Sequence, residues 1–293
     1  MNSNPLISVV LGSFNRLPFL KLTIDSIRKE IKFAGIPIEI IVVDGGSSDG
    51  SIKWLTKQKD IISIIQHNNG FWNGEKIERK SWGFFMNLGF KTAHGKYVCM
   101  ISDDCLIVPG AIKNGYELFE KKLEQGEKVG ALAFYWRNWP EKKYMIGLTL
   151  GKKIFVNHGM YLKTALEEVD YIDESFRFYY GDSDLCLKIW NSGYFCIESP
   201  DSYIEHYAHA INSKNRIDRS KEIEEDILKY KKKWTGIFYN ENDSFSGGWM
   251  EKEFYDSNKT VNQFIKFKIY KDIKKYFTIS KYYGFFKKVL KGK

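Results

Sequence analysis

Long apolar runs and paired cysteines are what this 293-residue sequence lacks, and each lack excludes a class of protein. No run approaches the ~18 apolar residues of a membrane-spanning helix, and the N-terminus shows no secretory leader, which would carry a basic region before an apolar one. The four cysteines, Cys99, Cys105, Cys186 and Cys196, form no CxxC pair. We therefore expect reduced thiols in a cytoplasmic protein, with neither a disulfide framework nor a zinc site.

The composition that remains is typical of a globular, basic protein. Hydrophobic residues make up 43% of the chain, which is enough for a substantial core and argues against global disorder. The formal net charge of +9 favours an anionic partner: a nucleic acid, an acidic membrane surface or a ligand with phosphate groups. Because no helix-turn-helix, zinc-finger or RNP pattern is found, we expect no nucleic-acid partner.

Apolar strands and amphipathic helices alternate along most of the chain. Residues 6–11 and 38–43 are continuous apolar runs, typical of strands buried on both faces. Between them, Leu20, Ile24 and Ile27 recur at helical spacing. Further strands are predicted at 61–65, 97–101, 130–136, 194–198 and 203–206. Further helices are predicted at 81–93, 112–123, 162–169 and 223–234, and another begins near 185. Residues 66–80 are predicted to form a loop, and residues 137–151 a loop or irregular hairpin. The alternation predicts an α/β fold with a mostly parallel sheet flanked by helices.

The predicted strand at residues 97–101 leads almost directly into two adjacent carboxylates, Asp103 and Asp104. Carboxylates are rarely buried unless they are paired or bound to a metal, and ligands of open α/β sheets bind outside the carboxyl ends of the strands. Mg²⁺ typically takes one or two carboxylates, substrate phosphates and water. The pair therefore indicates a divalent-metal site that also holds a ligand's phosphates, or else a polar turn, which Asp also favours.

Other polar side chains stand at the ends of predicted strands or the start of a helix. Asp44 could accept a hydrogen bond from a nucleotide base or simply end its strand in a turn. Asp182 and Asp184 precede the helix near residue 185, as a general base or as helix caps. His206 could bind the same metal as Asp104, or be a half-buried histidine bonded to the backbone. Carboxyl ends of parallel strands meet at one edge of a sheet, so these groups could form one site.

Over residues 6–210, these segments resemble the motifs of the family-2 glycosyltransferases of the GT-A (Rossmann-like) fold, and they occur in the same order along the chain. LISVVLGSFNR is similar to the family's first strand and loop, which implies that Ser13, Asn15 and Arg16 contact a nucleotide-sugar donor. IEIIVVDGGSSDGS resembles the second motif, in which the first acid contacts the base; here that acid is Asp44. The family often has another Asp at the next position, where this chain has Gly.

The segment MNLGFKTAHGKYVCMISDDCLIVPGA resembles the one that carries the family's DxD motif. Its three positions are Ser102, Asp103 and Asp104, with Ser in place of the first acid, a variant that the family tolerates. The resemblance implies that Asp104 binds Mn²⁺ or Mg²⁺ and that Ser102 and Asp103 contact the donor. It also places Arg79 and Lys80 where some members have a basic donor contact.

FRFYYGDSDLCLKIWNSGY is similar to the region of the family's "ED" motif, in which an acid is the catalytic base. The usual Glu is Gly181 here, so the resemblance implies Asp182 as the base, with Asp184 as the second choice. His206 falls where many members place a histidine that contacts the metal or the diphosphate.

The resemblance implies an inverting, metal-dependent transferase that moves a sugar from a nucleotide-sugar donor, expected to be a UDP-sugar, to a hydroxyl of a glycan or lipid-linked saccharide. Residues 1–212 would form the GT-A domain, with a nucleotide-binding half at 1–104 and an acceptor-binding half at 105–212. Three aromatic residues of the second half could stack on the acceptor sugar or could equally belong to the core: Trp136, Trp139 and Tyr144.

Residues 213–293 are expected to form a helical, basic C-terminal extension. Ten lysines and a single acid lie at 266–293, with aromatic residues between them. This pattern is typical of a solvated helix or of a helix on an anionic membrane surface, and the second interpretation would place the protein on the cytoplasmic face of the inner membrane.

Two alternatives stay open at the sequence level. A non-catalytic scaffold that keeps the fold and binds nucleotide sugar or membrane would explain Ser102 and Gly181. A sugar nucleotidyltransferase would need a triphosphate loop rich in Gly, Lys and Arg near the N-terminus, and LGSFNR lacks one.

Overall fold

The computed structural model describes residues 4–68, 70–207, 220–240, 242, 248–254, 264–269 and 272–273. The chain divides into two units, Met1–Asp256 and Ser257–Lys293. In the second unit residues 265–269 are helical. Most of the predicted basic tail lies outside the described residues, and the predicted domain boundaries stay predictions. In the described ranges, no helix combines the length and the hydrophobicity that a membrane-spanning segment needs.

Four neighbouring parallel strands form the first part of the sheet, as the apolar runs predict. Their order is β3-β2-β1-β6, and their bounds are β1 Ile7–Ser13, β2 Ile38–Asp44, β3 Ile61–Ile65 and β6 Tyr97–Met100. Three helices connect them: α1 Leu17–Ala34, α2 Ser51–Leu55 and α3 Trp82–Thr92. Ser13 is the register partner of Asp44, so β1 and β2 end side by side. The carboxyl ends of β1, β2 and β6 therefore lie at one edge.

Helix α1 shows how the sequence sets these elements. Pro18 lies in the first turn, where its missing N–H costs nothing. Leu20, Ile24 and Ile27 are fully buried against the sheet, and each buried side chain of this kind contributes roughly 1.5–3 kcal/mol. Gly35 ends the helix at φ 65°, a left-handed conformation that suits glycine.

The remaining strands extend the sheet in mixed directions. The strands are β7 Cys105–Ile107, β8 Val129–Asn138, β9 Lys143–Gly147, β10 Gly159–Leu162, β11 Phe195–His206 and β12 Trp249–Glu253, and a small separate hairpin pairs β4 Phe71–Trp72 with β5 Glu75–Lys76. Beyond β6 the order is β10-β8-β9-β12, and β11 pairs with both β8 and β7. Strand β10 runs antiparallel to both of its neighbours. The helices of this half are α4 Ala111–Glu124, α5 Lys163–Glu168, α6 Gly181–Asn191 and α7 Ser220–Trp234.

Two features of this half differ from the sequence prediction. The short strands predicted at 194–198 and 203–206 are one strand, β11, with an irregular register between Ser199 and Tyr203. Pro200 lies within this irregularity, where its missing N–H removes no ladder bond. Strands β7 and β12 were not predicted, because β7 has three residues and β12 alternates exposed and half-buried side chains at the sheet edge.

A second, smaller core joins helix α7 to helix α6 and to the segment that precedes it. Tyr230 and Trp234 of α7 pack with Phe176 and with Leu187 of α6. All of these side chains are at most 4% exposed. The contact fixes α7 against the segment that precedes α6.

Candidate active site

One cavity of about 480 Å³ opens at the carboxyl edge of the parallel strands. Six of the side chains predicted for the site line it: Ser13, Arg16, Arg79, Ser102, Asp103 and Asp182. The other predicted side chains, Asn15, Asp44, Lys80, Asp104, Asp184 and His206, do not line it directly.

The two carboxylates after β6 share one guanidinium. Arg16 Nη1 donates to Asp103 Oδ1 at 2.8 Å and to Asp104 Oδ2 at 2.9 Å. Thr23 of α1 holds the turn, because its hydroxyl donates to the carbonyl oxygens of Asp103 and Cys105. Burial raises the pKa of Asp103 to about 6. Burial also acts to raise the pKa of Asp104, but His206 and Arg16 outweigh it and the pKa is lowered.

Asp104 and His206, the two predicted metal ligands, lie close together. His206 Nε2 lies 3.5 Å from Asp104 Oδ1, and Asn138 Oδ1 lies 3.0 Å from the other ring nitrogen. Asp104 Oδ1 and Asp103 Oδ2 are buried and have no hydrogen-bond partner within the described ranges. Orphaned carboxylate oxygens beside an imidazole fit a divalent ion such as Mn²⁺, which accepts both oxygen and nitrogen ligands.

The protein alone would not supply a complete set of ligands for an ion bound by Asp103 or Asp104. In the part of the chain that the structure describes, no three His, Cys, Asp or Glu side chains converge on one point. A small ligand set is what Mg²⁺-type sites use when substrate phosphates and water complete the coordination. The residues thus fit an ion that binds together with a phosphate-bearing ligand.

Asp182 faces the cavity from the first turn of α6. Asn157 Nδ2 donates to its Oδ2 at 3.0 Å and fixes the carboxylate. Burial raises the pKa of Asp182, although the Asn157 hydrogen bond acts to lower it. Tyr180, just before the helix, has φ 67°, a left-handed conformation that is unfavourable for a bulky residue. Such local strain is found preferentially at functional sites.

Asp184 has a different environment, although it lies in the same helical turn. It is fully buried, and its two oxygens accept hydrogen bonds from Trp234 Nε1 at 2.8 Å and Lys233 Nζ at 2.9 Å. Both partners belong to α7. The structure therefore favours Asp182 over Asp184 as the group that meets a ligand.

The carboxylate of Asp44 is satisfied by its own loop. Oδ1 accepts from the backbone N–H groups of Gly46 and Ser47, and Oδ2 accepts from the Ser47 hydroxyl. Asn15 supports the same loop, because its Oδ1 accepts from the N–H of Ser48 at 2.8 Å. These two predicted donor contacts shape the β2 loop, while the neighbouring Gly45 lines the cavity.

Of the two basic residues predicted near the donor, Arg79 lines the cavity and Lys80 does not. Lys80 is exposed, and its ammonium bonds Glu78 Oε2 at 3.2 Å. Its backbone N–H donates to Asn68 Oδ1 at 2.6 Å.

Four aromatic side chains, which we call the aromatic mouth, line the cavity while remaining 38–51% exposed. They are Phe14, Trp82, Phe178 and Tyr179. Sequence reasoning missed all four and Asn157 as well. The signal available in the sequence was that each of the four aromatic residues lies within three residues of a glycine.

The aromatic residues predicted to stack on a sugar lie elsewhere. Trp139 and Tyr144 are buried, and the Tyr144 hydroxyl donates to Glu205 Oε1 at 2.6 Å. Both belong to the core, which is one of the two interpretations that the sequence left open for them. Trp136 is half-buried and packs edge-on against His206.

A family model described as glycosyl transferase family 2 matches residues 8–162, just over half of the chain. The chain belongs to this family. The match spans β1 to β10 and thus includes the two carboxylates after β6. No curated protein sequence matches the chain.

Solved structures of two other proteins share the fold at low sequence identity. Staphylococcus aureus TarS is 14% identical with a TM-score of 0.57, over 78% of this chain and 39% of the TarS chain. A mannosyltransferase of Pyrobaculum calidifontis, PcManGT, solved with GDP-Man and Mn²⁺, is 19% identical with a TM-score of 0.54, over 79% of this chain and 65% of its own. This chain therefore spans less than two thirds of either relative. The likeness confirms the predicted GT-A type of α/β fold.

Proposed function

We propose that this protein transfers a sugar from a nucleotide-sugar donor to an acceptor hydroxyl with inversion at the anomeric carbon. The observation that carries the proposal is a single cavity lined by the Asp103 carboxylate on one side and by Asp182, with its raised pKa, on another. The first group belongs to a pair suited to a metal-bound diphosphate. The second is suited to accept a proton.

The donor would lie over the ends of β1, β2 and β6. Phe14 lines the cavity and is half-exposed, so part of its ring is open for a flat base to stack on. Arg16 and Arg79 supply positive charge for the diphosphate. Asp104 and His206 would hold a Mn²⁺ or Mg²⁺ ion, which when bound neutralises the charge of the diphosphate leaving group.

Asp182 would act as the base. Asn157 orients its carboxylate, and its raised pKa brings it closer to the working pH. The acceptor hydroxyl forms a bond to the anomeric carbon while the bond from that carbon to the diphosphate oxygen breaks, and the hydroxyl proton passes to Asp182. Arg16 and Arg79 meet the negative charge that develops on the diphosphate.

The acceptor is proposed to be a glycan or lipid-linked saccharide that enters through the aromatic mouth. Trp82 lies beside the base-bearing turn, because a β-carbon on Gly181 would be 3.7 Å from its ring. An indole face offers a large, rigid and apolar surface for the C–H face of a sugar. The mouth thus supports a saccharide next to Asp182.

A thermal-shift screen tests the proposal. UDP, dTDP, GDP and CDP are each added with and without Mn²⁺ to wild type and to Asp104→Ala, and one nucleotide should raise the melting temperature in a metal-dependent manner. The effect should be lost in Asp104→Ala. No stabilisation by any nucleotide would contradict the proposal.

A non-catalytic nucleotide-sugar-binding protein is the second candidate. It is favoured by the Arg16 ion pairs, which occupy one oxygen of each carboxylate, and by the missing acid at Gly181. Binding of a nucleotide sugar without its consumption in the presence of Mn²⁺ would support this alternative.

A further inference from the structure

Helix α7 lies beyond the residues matched by the family model, yet it contacts the segment that carries the proposed base. Asp226, Tyr230, Lys233 and Trp234 follow the spacing of one helical face. Each makes a hydrogen bond to residues between 173 and 184.

Asp226 makes the most specific of these contacts. The residue is 1% exposed, and its carboxylate accepts three backbone N–H groups: Arg177 at 2.9 Å, Phe178 at 2.7 Å and Tyr179 at 2.9 Å. Three donors on one carboxylate hold consecutive peptide groups in a fixed curve. Charge-assisted hydrogen bonds of this kind are about twice as strong as neutral ones.

The C-terminal part of α7 holds the start of α6 in the same way. The Tyr230 ring stacks on Tyr180 with centroids 4.9 Å apart, and its hydroxyl bonds Ser183. Lys233 and Trp234 bond the buried carboxylate of Asp184. The residues on either side of Asp182 are thereby fixed.

Resting on the proposed function, we propose that α7 positions the acceptor side of the site and that Asp226 is its main positioning residue. The residues held by Asp226 place Phe178 and Tyr179 in the aromatic mouth. The same segment leads through the strained Tyr180 into the turn that bears Asp182. Without Asp226, the mouth and the base lose their fixed relation while the donor side, built on β1, β2 and β6, is unchanged.

The test uses the full chain as wild type, Asp226→Ala, Asp226→Asn and Glu30→Ala. Glu30 is a matched control, because its buried carboxylate also accepts three backbone N–H groups, those of Gly110, Ile112 and Lys113, none of which lines the cavity. Nucleotide binding is measured by calorimetry. Turnover is measured with a panel of UDP-, dTDP-, GDP- and CDP-sugars, and amide hydrogen exchange is measured by mass spectrometry.

Asp226→Ala should leave the nucleotide Kd within about twofold and lower kcat at least about tenfold, since a misplacement near 1 Å can cost a hundredfold. Peptides spanning 177–184 should exchange faster. Asp226→Asn keeps one carbonyl oxygen and should recover part of kcat. Glu30→Ala should leave both kcat and this exchange unchanged.

Equal losses of kcat in Asp226→Ala and Glu30→Ala would overturn the positioning role, because general destabilisation would then explain both. Absence of wild-type turnover with every sugar nucleotide would instead contradict the proposed function. In that case the exchange of 177–184 still decides: unchanged exchange in Asp226→Ala overturns the inference, and faster exchange confined to that variant supports it.

Discussion

Asp182 and Asp184 show how two acids in one helical turn acquire different roles. Both have a pKa raised by burial. Asp182 faces the cavity with a single side-chain partner, Asn157, whereas both oxygens of Asp184 are bonded to α7. The spacing of i and i+2 on a helix points these side chains in different directions, so one lines the site and the other anchors a neighbouring helix.

Asparagine substitution should separate these roles. Asp182→Asn should lower kcat roughly 10²–10⁴-fold, the usual contribution of a general base, with nucleotide affinity and melting temperature near those of wild type. Asp184→Asn should mainly lower the melting temperature, since it removes the buried ion-pair partner of the half-buried Lys233. Steady-state kinetics and thermal unfolding measure the two effects. Full activity in Asp182→Asn would exclude it as the base.

The pH dependence of turnover should show whether the pKa of Asp182 is raised. A base acts deprotonated, so kcat/KM should rise with pH through the Asp182 pKa and be lost as the pH falls below it. Burial raises this pKa above the ordinary 3.8 of an aspartate, so the loss should begin at a higher pH than for an exposed aspartate. A pH–rate profile of wild type measures this limb, and a profile that stays flat down to pH 4 would contradict the assignment.

Trp82 should contribute to acceptor binding and not to donor binding. Removing its indole in Trp82→Ala should raise the acceptor KM about tenfold, in line with the roughly 0.5–1.5 kcal/mol of a stacked aromatic contact. Trp82→Phe keeps a ring and should show a smaller effect. Nucleotide Kd from calorimetry is the control, and a change in that constant equal to the change in acceptor KM would place Trp82 on the donor side.

At the scale of elements, Glu30 links helix α1 to the start of helix α4. It lies on α1 and accepts N–H groups of the first turn of α4, whose own N-cap residue, Gly110, has no side chain to do so. Glu30→Ala should therefore lower the free energy of unfolding by roughly 2–4 kcal/mol, because buried N–H groups lose their acceptor. Urea denaturation measures it. A loss below about 0.5 kcal/mol would mean that water replaces the carboxylate.

Sequence patterns predicted the elements whose period is long and whose burial is complete. The apolar runs gave β1 to β3 and the Leu/Ile spacing gave α1, because full burial leaves a strong signal. The edge strand β12 has a side chain pattern without a buried face, so no period marks it. The family resemblance named Asp103, Asp104 and Asp182, which line or adjoin the cavity. It gave no hint of Asn157, Trp82 or Asp226, because those act through contacts between elements distant in sequence.

At the scale of the whole molecule, the excess positive charge and the candidate active site lie in different parts of the chain. The sequence 266–293 supplies ten lysines against one acid, a surplus of nine that equals the formal net charge of +9. The remainder of the chain is thus formally neutral. An anionic partner attracted by the net positive charge is therefore expected to bind this tail, whereas Arg16 and Arg79 are proposed to bind the diphosphate of a donor in the cavity.

The tail is accordingly predicted to bind anionic membranes. Full-length protein should co-sediment with phosphatidylglycerol vesicles and not with phosphatidylcholine vesicles. Changing Lys266, Lys268, Lys271, Lys274 and Lys275 to Gln should weaken binding more than tenfold, since each lysine near the membrane surface contributes about 1 kcal/mol.

The matched control changes five exposed lysines of the first unit, Lys53, Lys57, Lys59, Lys121 and Lys142, and should bind nearly as wild type does. Because screening weakens such attraction, 0.5 M salt should release the wild type. Equal binding by the two variants would assign the membrane affinity to net charge alone and exclude the tail as its site.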